Sequence, residues 1–188
     1  MKRQALFLDR DGTINIDYGY VYRQKDFHFI DGVFELVAAA KRLDYLVVII
    51  TNQSGIGRGY YTETEFQVLM TWVNEQFAQR GGAIDAVFFC PDHPEHGQGI
   101  YRRDTLMRKP GPGMLLKAAE VWNIDLGQSI LVGDSEADIK AGQLAEVRHI
   151  CYLGDVDPCN DLGIKKISRL IEVIPLLQTC SDKYTSRK

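Results

Sequence analysis

The chain reads as an α/β protein, a single open doubly wound domain on a parallel central sheet, and three observations carry that reading. Short apolar runs rich in β-branched residues alternate with segments of helical periodicity along most of the sequence. The runs lack an alternating polar face, which suits strands covered by helices on both sides. Asp9, Thr51 and Asp134 each fall just at the carboxyl end of one of these runs, and in open α/β sheets ligands gather beyond the carboxyl ends of the strands.

Gln4 to Leu8 is the first expected strand, followed by a polar loop and a helical pattern from Gly32 to Arg42. Tyr45 to Ile50 is a β-branched run ending in the polar segment Thr51-Asn52-Gln53-Ser54-Gly55, and Thr62 caps a helix expected to reach about Gln79. Ala83 to Cys90 gives a third strand. Pro91 to Pro112 has no period and four prolines, so it reads as a long loop. Pro112 to Trp122 is helical, Ser129 to Val132 is a strand ending in Gly133-Asp134, Glu136 to Leu144 is helical, and Arg148 to Tyr152 reads as the last strand. A helix near Ser168 to Leu177 closes a domain spanning 1–178, and residues 179–188 read as a polar tail.

With 188 residues and 45% hydrophobic content the chain can bury one sizeable core. A net charge of -3 gives no general attraction for nucleic acid or an anionic membrane, so an anionic substrate must be met by local cations. The apolar stretch Ala5 to Leu8 is too short for a signal-peptide core or a membrane span, and the expectation is a cytoplasmic, monomeric protein. Cys90, Cys151, Cys159 and Cys180 fit neither a small disulfide scaffold nor a paired CxxC zinc site; Cys151 reads as a core thiol and Cys180 as an exposed one. The glycines at 55, 57 and 59 lack the spacing of a dinucleotide fingerprint.

Asp9 and Asp11 flank Arg10 where the first strand ends, and Gly12 lets the chain turn so that both carboxylates can face the crevice. One can attack while the other moves protons. A carboxylate attacking a phosphate dianion needs a divalent cation to screen the repulsion, oxygen ligands suit Mg2+, and Asp134 offers a further carboxylate from another strand. Thr51 and Lys109 fit the same chemistry, since a transferring phosphoryl group needs donors and a cation on its equatorial oxygens. Any one of these aspartates alone is an ordinary turn former or helix cap. The ordered set is far more demanding: an acidic pair, a threonine after a second strand, a lysine before proline, and Gly-Asp after a fourth.

Asp9-Arg10-Asp11-Gly12-Thr13, Thr51, Lys109 and Gly133-Asp134 with Asp138 together resemble the four motifs of the haloacid dehalogenase superfamily of phosphohydrolases. The resemblance implies a Rossmann-like domain in which Asp9 attacks phosphorus in line and Asp11 protonates the leaving alkoxide and later deprotonates water. It also implies Mg2+ held by Asp9, the Asp11 main-chain carbonyl and Asp134, with Asp138 in support. The chain is too short for a large inserted cap domain, so loops 14–28, 52–60 and 91–109 are expected to cover the crevice.

Asp17-Tyr18-Gly19-Tyr20, the segment from Thr51 to Gly59, Cys90-Pro91, Arg108-Lys109-Pro110 and the run from Pro112 to Leu116 resemble, more narrowly, the D-glycero-D-manno-heptose-1,7-bisphosphate 7-phosphatase family. That family is similar to the histidinol-phosphatases, which stay open as an alternative. The heptose resemblance implies hydrolysis of a small sugar bisphosphate to its 1-phosphate, on the route to nucleotide-activated heptose for lipopolysaccharide. It implies a substrate lined by Asp17, Tyr18, Gly19, Tyr20, Asn52, Gln53, Ser54, Arg108 and Lys109, with Arg108 suited to the phosphate that remains. A phosphoryl-accepting receiver also uses Asp, Thr and Lys around Mg2+, but Asp11 speaks against it.

Two departures stand out. Relatives in this family carry a structural zinc on a Cys-x-His pair and a later Cys-x-Cys pair; here Cys90 is followed by Asp92 in the histidine position, and Thr105-Leu106-Met107 offers no cysteine. His93, His96 and Asp104 could in principle join Cys90, yet the expectation is no zinc. Ser135 also stands where many heptose enzymes have a lysine.

Overall fold

The computed structural model describes residues 2–154 and 163–185. Among the described residues, six strands form one sheet: β1 (Ala5–Leu8), β2 (Leu46–Asn52), β3 (Ala86–Cys90), β4 (Ile130–Gly133), β5 (His149–Leu153) and β6 (Ile164–Ile167). Their order is β3-β2-β1-β4-β5-β6, and every pairing is parallel. The chain winds outward to one edge from β1 and to the other from β4. The switch point therefore lies between β1 and β4, where Leu8 pairs with Val132.

The helices are α1 (Val33–Arg42), the single-turn α2 (Ser54–Gly57), α3 (Glu63–Ala78), α4 (Gly113–Trp122), α5 (Glu136–Leu144) and α6 (Ile174–Thr185). On one face Leu36, Val37, Phe66, Leu69, Val73 and Leu177 of α1, α3 and α6 pack on Leu6, Leu8, Val47 and Ile49. On the other, Met114, Leu115, Ala118, Ile139 and Ala141 of α4 and α5 pack on Ala5, Phe7, Leu46, Val48 and Leu131. Alternate residues of β1 and β2 thus serve opposite cores, which is why these strands carry unbroken apolar runs.

Thr62 starts α3 as its spacing to Glu65 implies: its hydroxyl accepts from Glu65 N at 3.1 Å while Glu65 Oε2 accepts from Thr62 N at 2.8 Å. Among the described residues, no helix is long and apolar enough to cross a membrane.

The structure corrects several sequence expectations. Thr51 belongs to β2, which continues to Asn52, and a helical turn follows where a plain loop was expected. Arg148 to Tyr152 does not mark the last strand, because Ile164–Ile167 adds a sixth; its two lysines hide it from an apolarity scan yet suit an exposed sheet edge. A 3-10 turn at Leu170–Val173 leads into α6, so the helix runs past residue 178, where the polar tail was expected to begin. Cys180 on that helix is buried, not exposed. Cys159 lies outside the described residues.

α6 is tied to the sheet by Leu177, fully buried, whose carbonyl accepts from Tyr45 Oη at 3.2 Å. Leu177→Ala is expected to lower stability by about 2–5 kcal/mol, as for other large-to-small core changes. Urea unfolding monitored by circular dichroism checks this.

Candidate active site

The site is built where β1, β2 and β4 end. Asp9 follows β1, and its N–H donates to Val132 O at 3.0 Å, prolonging the pairing with β4 by one residue. Its side chain is buried and cannot turn away to solvent. Arg10 N donates to Asp9 Oδ1 at 2.7 Å, and Lys109 Nζ lies 2.7 Å from the same oxygen. Oδ2 carries neither contact and retains capacity for an electrophile or a cation.

Lys109 is buried and bonded on all sides, to Asp9, to Asp138 Oδ1 at 2.5 Å and to Ile50 O at 3.1 Å. Asn52 holds its backbone twice: Lys109 N donates to Asn52 Oδ1 and Asn52 Nδ2 donates to Lys109 O, both at 3.0 Å. Burial works to lower the Lys109 pKa, but Asp9 and Asp138 outweigh it and hold the ammonium above the ordinary lysine value.

Asp134 faces Asp9 across the crevice from the end of β4. Oxygens of Asp9, Asp134 and Asp138 lie within 4.8 Å of one another. Burial pushes Asp9 up to about 8 against the pull of Lys109, with Asp138 and Asp134 adding to the rise. Burial and then Asp138 push Asp134 up to about 6. Three carboxylates thus share one ammonium, an excess of negative charge suited to a divalent cation with oxygen ligands. Gly12 makes the close approach feasible: its φ is +83°, and a Cβ there would lie 1.9 Å from Asp134 Oδ2.

Asp11 is held by three donors. Its Oδ1 accepts from Arg10 Nη2 at 2.5 Å and Asn15 Nδ2 at 3.1 Å, and its Oδ2 accepts from Gln53 Nε2 at 2.9 Å. Gln53 Nε2 also donates to Thr51 Oγ1 at 2.8 Å. Arg10 is fully buried between the rings of Phe27 and Phe66 and donates to Val21 O at 2.6 Å, so it fastens the loop after β1 over the site.

Asp9, Asp11, Asp17, Gly19, Tyr20, Thr51, Asn52, Gln53, Ser54, Lys109 and Asp134 line one crevice of about 440 Å³. The structure does not bring Tyr18 or Arg108 into that lining. Tyr18 is exposed and packs edge-on against His28. Arg108 lines a neighbouring depression with Pro94, Asp104 and Leu106, and its Nη1 donates to Asp92 O at 3.2 Å.

Sequence reasoning missed Tyr61 and the role of Ser135, both in the lining. Nothing local marks Tyr61. Ser135 did carry a signal, its three-residue spacing to Asp138: the two form a capping box at the start of α5. Among the described residues, Asp9, Asp134 and Asp138 gather as a group that could hold a metal, whereas Cys90, His93, His96 and Asp104 form no such group.

A carboxylate buried at the switch point of a parallel sheet, with a second two residues on and a lysine and a third carboxylate around it, defines a hydrolase of the haloacid dehalogenase (HAD) class. A HAD-hydrolase-like family model matches residues 106–168. The D-glycero-alpha-D-manno-heptose-1,7-bisphosphate 7-phosphatase of Burkholderia mallei is 54% identical over 157 residues, 84% of this chain and 83% of that protein. The D-glycero-beta-D-manno-heptose-1,7-bisphosphate 7-phosphatase of Vibrio cholerae is 48% identical, over 78% of this chain and 79% of its own length. A crystal structure of the D,D-heptose 1,7-bisphosphate phosphatase from B. bronchiseptica, complexed with magnesium and phosphate, superposes with a TM-score of 0.80 at 28% identity, covering 94% of this chain and 98% of that one. The chain belongs to the D-glycero-D-manno-heptose-1,7-bisphosphate 7-phosphatase family.

Replacing Lys109 by Met leaves Asp9 and Asp138 side by side without their cation. The expected loss is about 3–5 kcal/mol, typical of a buried ion pair deprived of one partner. The loss is expected to be larger near about pH 9 than near about pH 7. Asp9 already keeps its proton up to about 8 in the wild type; removing the ammonium raises that value further, so the variant goes on losing stability with rising pH where the wild type has levelled off. Urea titrations at the two pH values check both size and sign.

Proposed function

We propose that the chain hydrolyses the 7-phosphate of D-glycero-D-manno-heptose 1,7-bisphosphate, leaving the 1-phosphate, through an aspartyl-phosphate on Asp9 and with Mg2+ as cofactor. The observation that carries this reading is the buried Asp9, fixed by Lys109 on one oxygen and facing Asp134, with Asp11 two residues on. Asp9, Asp134 and the Asp11 main-chain carbonyl are the groups assigned to the cation, and the surplus of carboxylates over ammonium fits it. When bound, Mg2+ screens the repulsion between Asp9 and the phosphoryl dianion and aligns the phosphorus.

Asp9 Oδ2 attacks phosphorus and the bond from phosphorus to the C7 oxygen breaks, while Asp11 gives its proton to the leaving alkoxide. In the second step Asp11 takes a proton from water, the water oxygen bonds to phosphorus, and the bond from phosphorus to Asp9 breaks to release phosphate. Thr51 bears on the equatorial oxygens, where charge is spread in the transition state, and Lys109, whose donors are held by Asp9, Asp138 and Ile50 O, contributes its charge there. Asp17, Gly19, Tyr20, Asn52 and Ser54 line the approach. We assign the retained phosphate to Arg108, next to Lys109 on the chain, with guanidinium donors beyond the one given to Asp92 O.

The same reading includes a loop from 91 to 109 held without zinc. In support, Asp92 is buried and paired with Arg103 Nε at 2.9 Å, with Cys90 Sγ 3.9 Å from Asp92 Oδ2. A crevice formed within one chain also supports action as a monomer, and the open, polar site suits a small sugar bisphosphate in the cytoplasm.

Phosphate release from heptose 1,7-bisphosphate, fructose 1,6-bisphosphate and histidinol phosphate tests the assignment. The heptose substrate is expected to turn over fastest, with the 1-phosphate identified in the product by phosphorus NMR; faster turnover of histidinol phosphate overturns the substrate reading. Asp9→Asn is expected to lose at least ~10³-fold in kcat, since no phosphoenzyme can form.

Mg2+ must displace protons from Asp9, held near 8, and Asp134, held near 6. Cation binding therefore strengthens as pH rises, by roughly tenfold per unit between the two values where one proton is released, and levels off above the higher one. Isothermal titration with Mg2+ across that range checks the slope.

A further inference from the structure

Tyr61 is a crevice residue to which the chemistry above gives no task. Its ring is buried and stacks on Tyr22 with centroids 5.0 Å apart and 6° between planes. A Cβ at Gly55 would lie 2.3 Å from Tyr61 Cε1, so the glycine makes room for the ring. The hydroxyl ends 2.5 Å from Gln53 Oε1.

Gln53 is itself almost fully buried, and its amide has two chemically different ends. Oε1 accepts from Tyr61 Oη and from Arg10 Nη1 at 3.2 Å; Nε2 donates to Asp11 Oδ2 and Thr51 Oγ1. Arginine has donors only, so Arg10 dictates which end of the amide faces Asp11, and the Tyr61 hydroxyl, donating to Oε1, holds that end in place. An amide turned over would set Oε1 against the Asp11 carboxylate and Nε2 against the guanidinium, two repulsions in a site with little water to relieve them. Asp11 Oδ1 meets two donors, Arg10 and Asn15, whereas Oδ2 meets Gln53 alone. Oδ2 is thus the oxygen with a lone pair free for a travelling proton.

We propose that Tyr61 is a positioning residue for proton transfer: acting through Gln53, it orients Asp11 Oδ2 toward the leaving alkoxide in the first step and the water in the second. The inference rests on the reading of Asp11 as the proton carrier, and it moves Gln53 from substrate contact to the support of Asp11.

Tyr61→Phe keeps the ring and its stacking and removes only the hydroxyl. On heptose 1,7-bisphosphate its kcat is expected to fall about tenfold with KM within about twofold of wild type, a fraction of the ~10²–10⁴ that general acid–base catalysis supplies. The first-turnover burst of nitrophenolate from p-nitrophenyl phosphate, a leaving group that needs no proton, is expected to stay within about twofold. Gln53→Met, similar in size but without the amide, should lower turnover of the sugar phosphate at least as much, and the double variant should be no slower than Gln53→Met alone. An unchanged kcat in Tyr61→Phe, or equal losses in turnover and burst, overturns the proposal. Asp11→Asn is the control for the underlying reading: it should abolish turnover of the sugar phosphate and keep the burst. If Asp11→Asn retains turnover, the proton-carrier reading itself fails, a result distinct from a silent Tyr61→Phe.

Discussion

One buried ammonium organises the carboxyl edge of the sheet. Lys109 Nζ meets Asp9 after β1, Ile50 O within β2 and Asp138 on α5, and so joins three segments that the sequence holds far apart. Taking such a charge from water is unfavourable unless its donors are satisfied, and each contact offsets part of that cost. Asn52 fixes the lysine's backbone, so its side chain enters from one direction only. Asp138 does two things at once: it accepts from Lys109, and it closes the capping box that sets where α5 begins. The start of that helix, the end of β1 and the approach to Lys109 therefore move together or not at all.

The same arrangement leaves the site short of positive charge. Asp9, Asp134 and Asp138 face one lysine, because Arg10 is committed to Asp11, Gln53 and Val21 O. Arg10 and Lys109 divide the work: one holds Asp11 and the other Asp9. Neighbouring residues of one short turn can face different partners because Gly12 bends the chain close to Asp134, in a conformation and a space that exclude a side chain.

Much of this was legible in the sequence because it is local. Continuous apolar runs declared β1, β2 and β4, and the polar residues just after them declared the crevice. Thr62 as a cap declared the start of α3. What was not legible depends on distant partners. β6 has two lysines among four residues and is recognisable only by its pairing with β5. Cys180 looks polar-flanked in sequence but sits on a helix whose inner face meets α1 and the sheet. Nothing local marks Arg10 for burial; Phe27 and Phe66 close around it from elsewhere in the chain. Tyr61 has meaning only beside Gly55 and Gln53. Ser135, conspicuous as a lost lysine, has its own reason in the cap of α5.

The residues proposed for the two ends of the substrate belong to parts of the protein built to different stiffness. Asp9 lies at a strand terminus locked by the lysine and Asp138. Arg108 instead sits on the loop between β3 and α4, which is knit to its surroundings by dispersed contacts: Gln98 N to Gly57 O at 2.8 Å, Tyr101 Oη to Glu63 Oε1 at 2.9 Å, and the pair of Asp92 with Arg103. That pair is buried at the carboxylate but 65% exposed at the Arg103 side chain, so water and salt reach one side of it. A site that must place phosphorus within tenths of an ångström needs the first kind of support. A site that need only bind a phosphate does not, and a loop can change its sugar preference without disturbing the chemistry. Family members named for the alpha and the beta anomer are both close relatives of this chain, as expected if specificity resides in the softer half of the site and reaction in the harder.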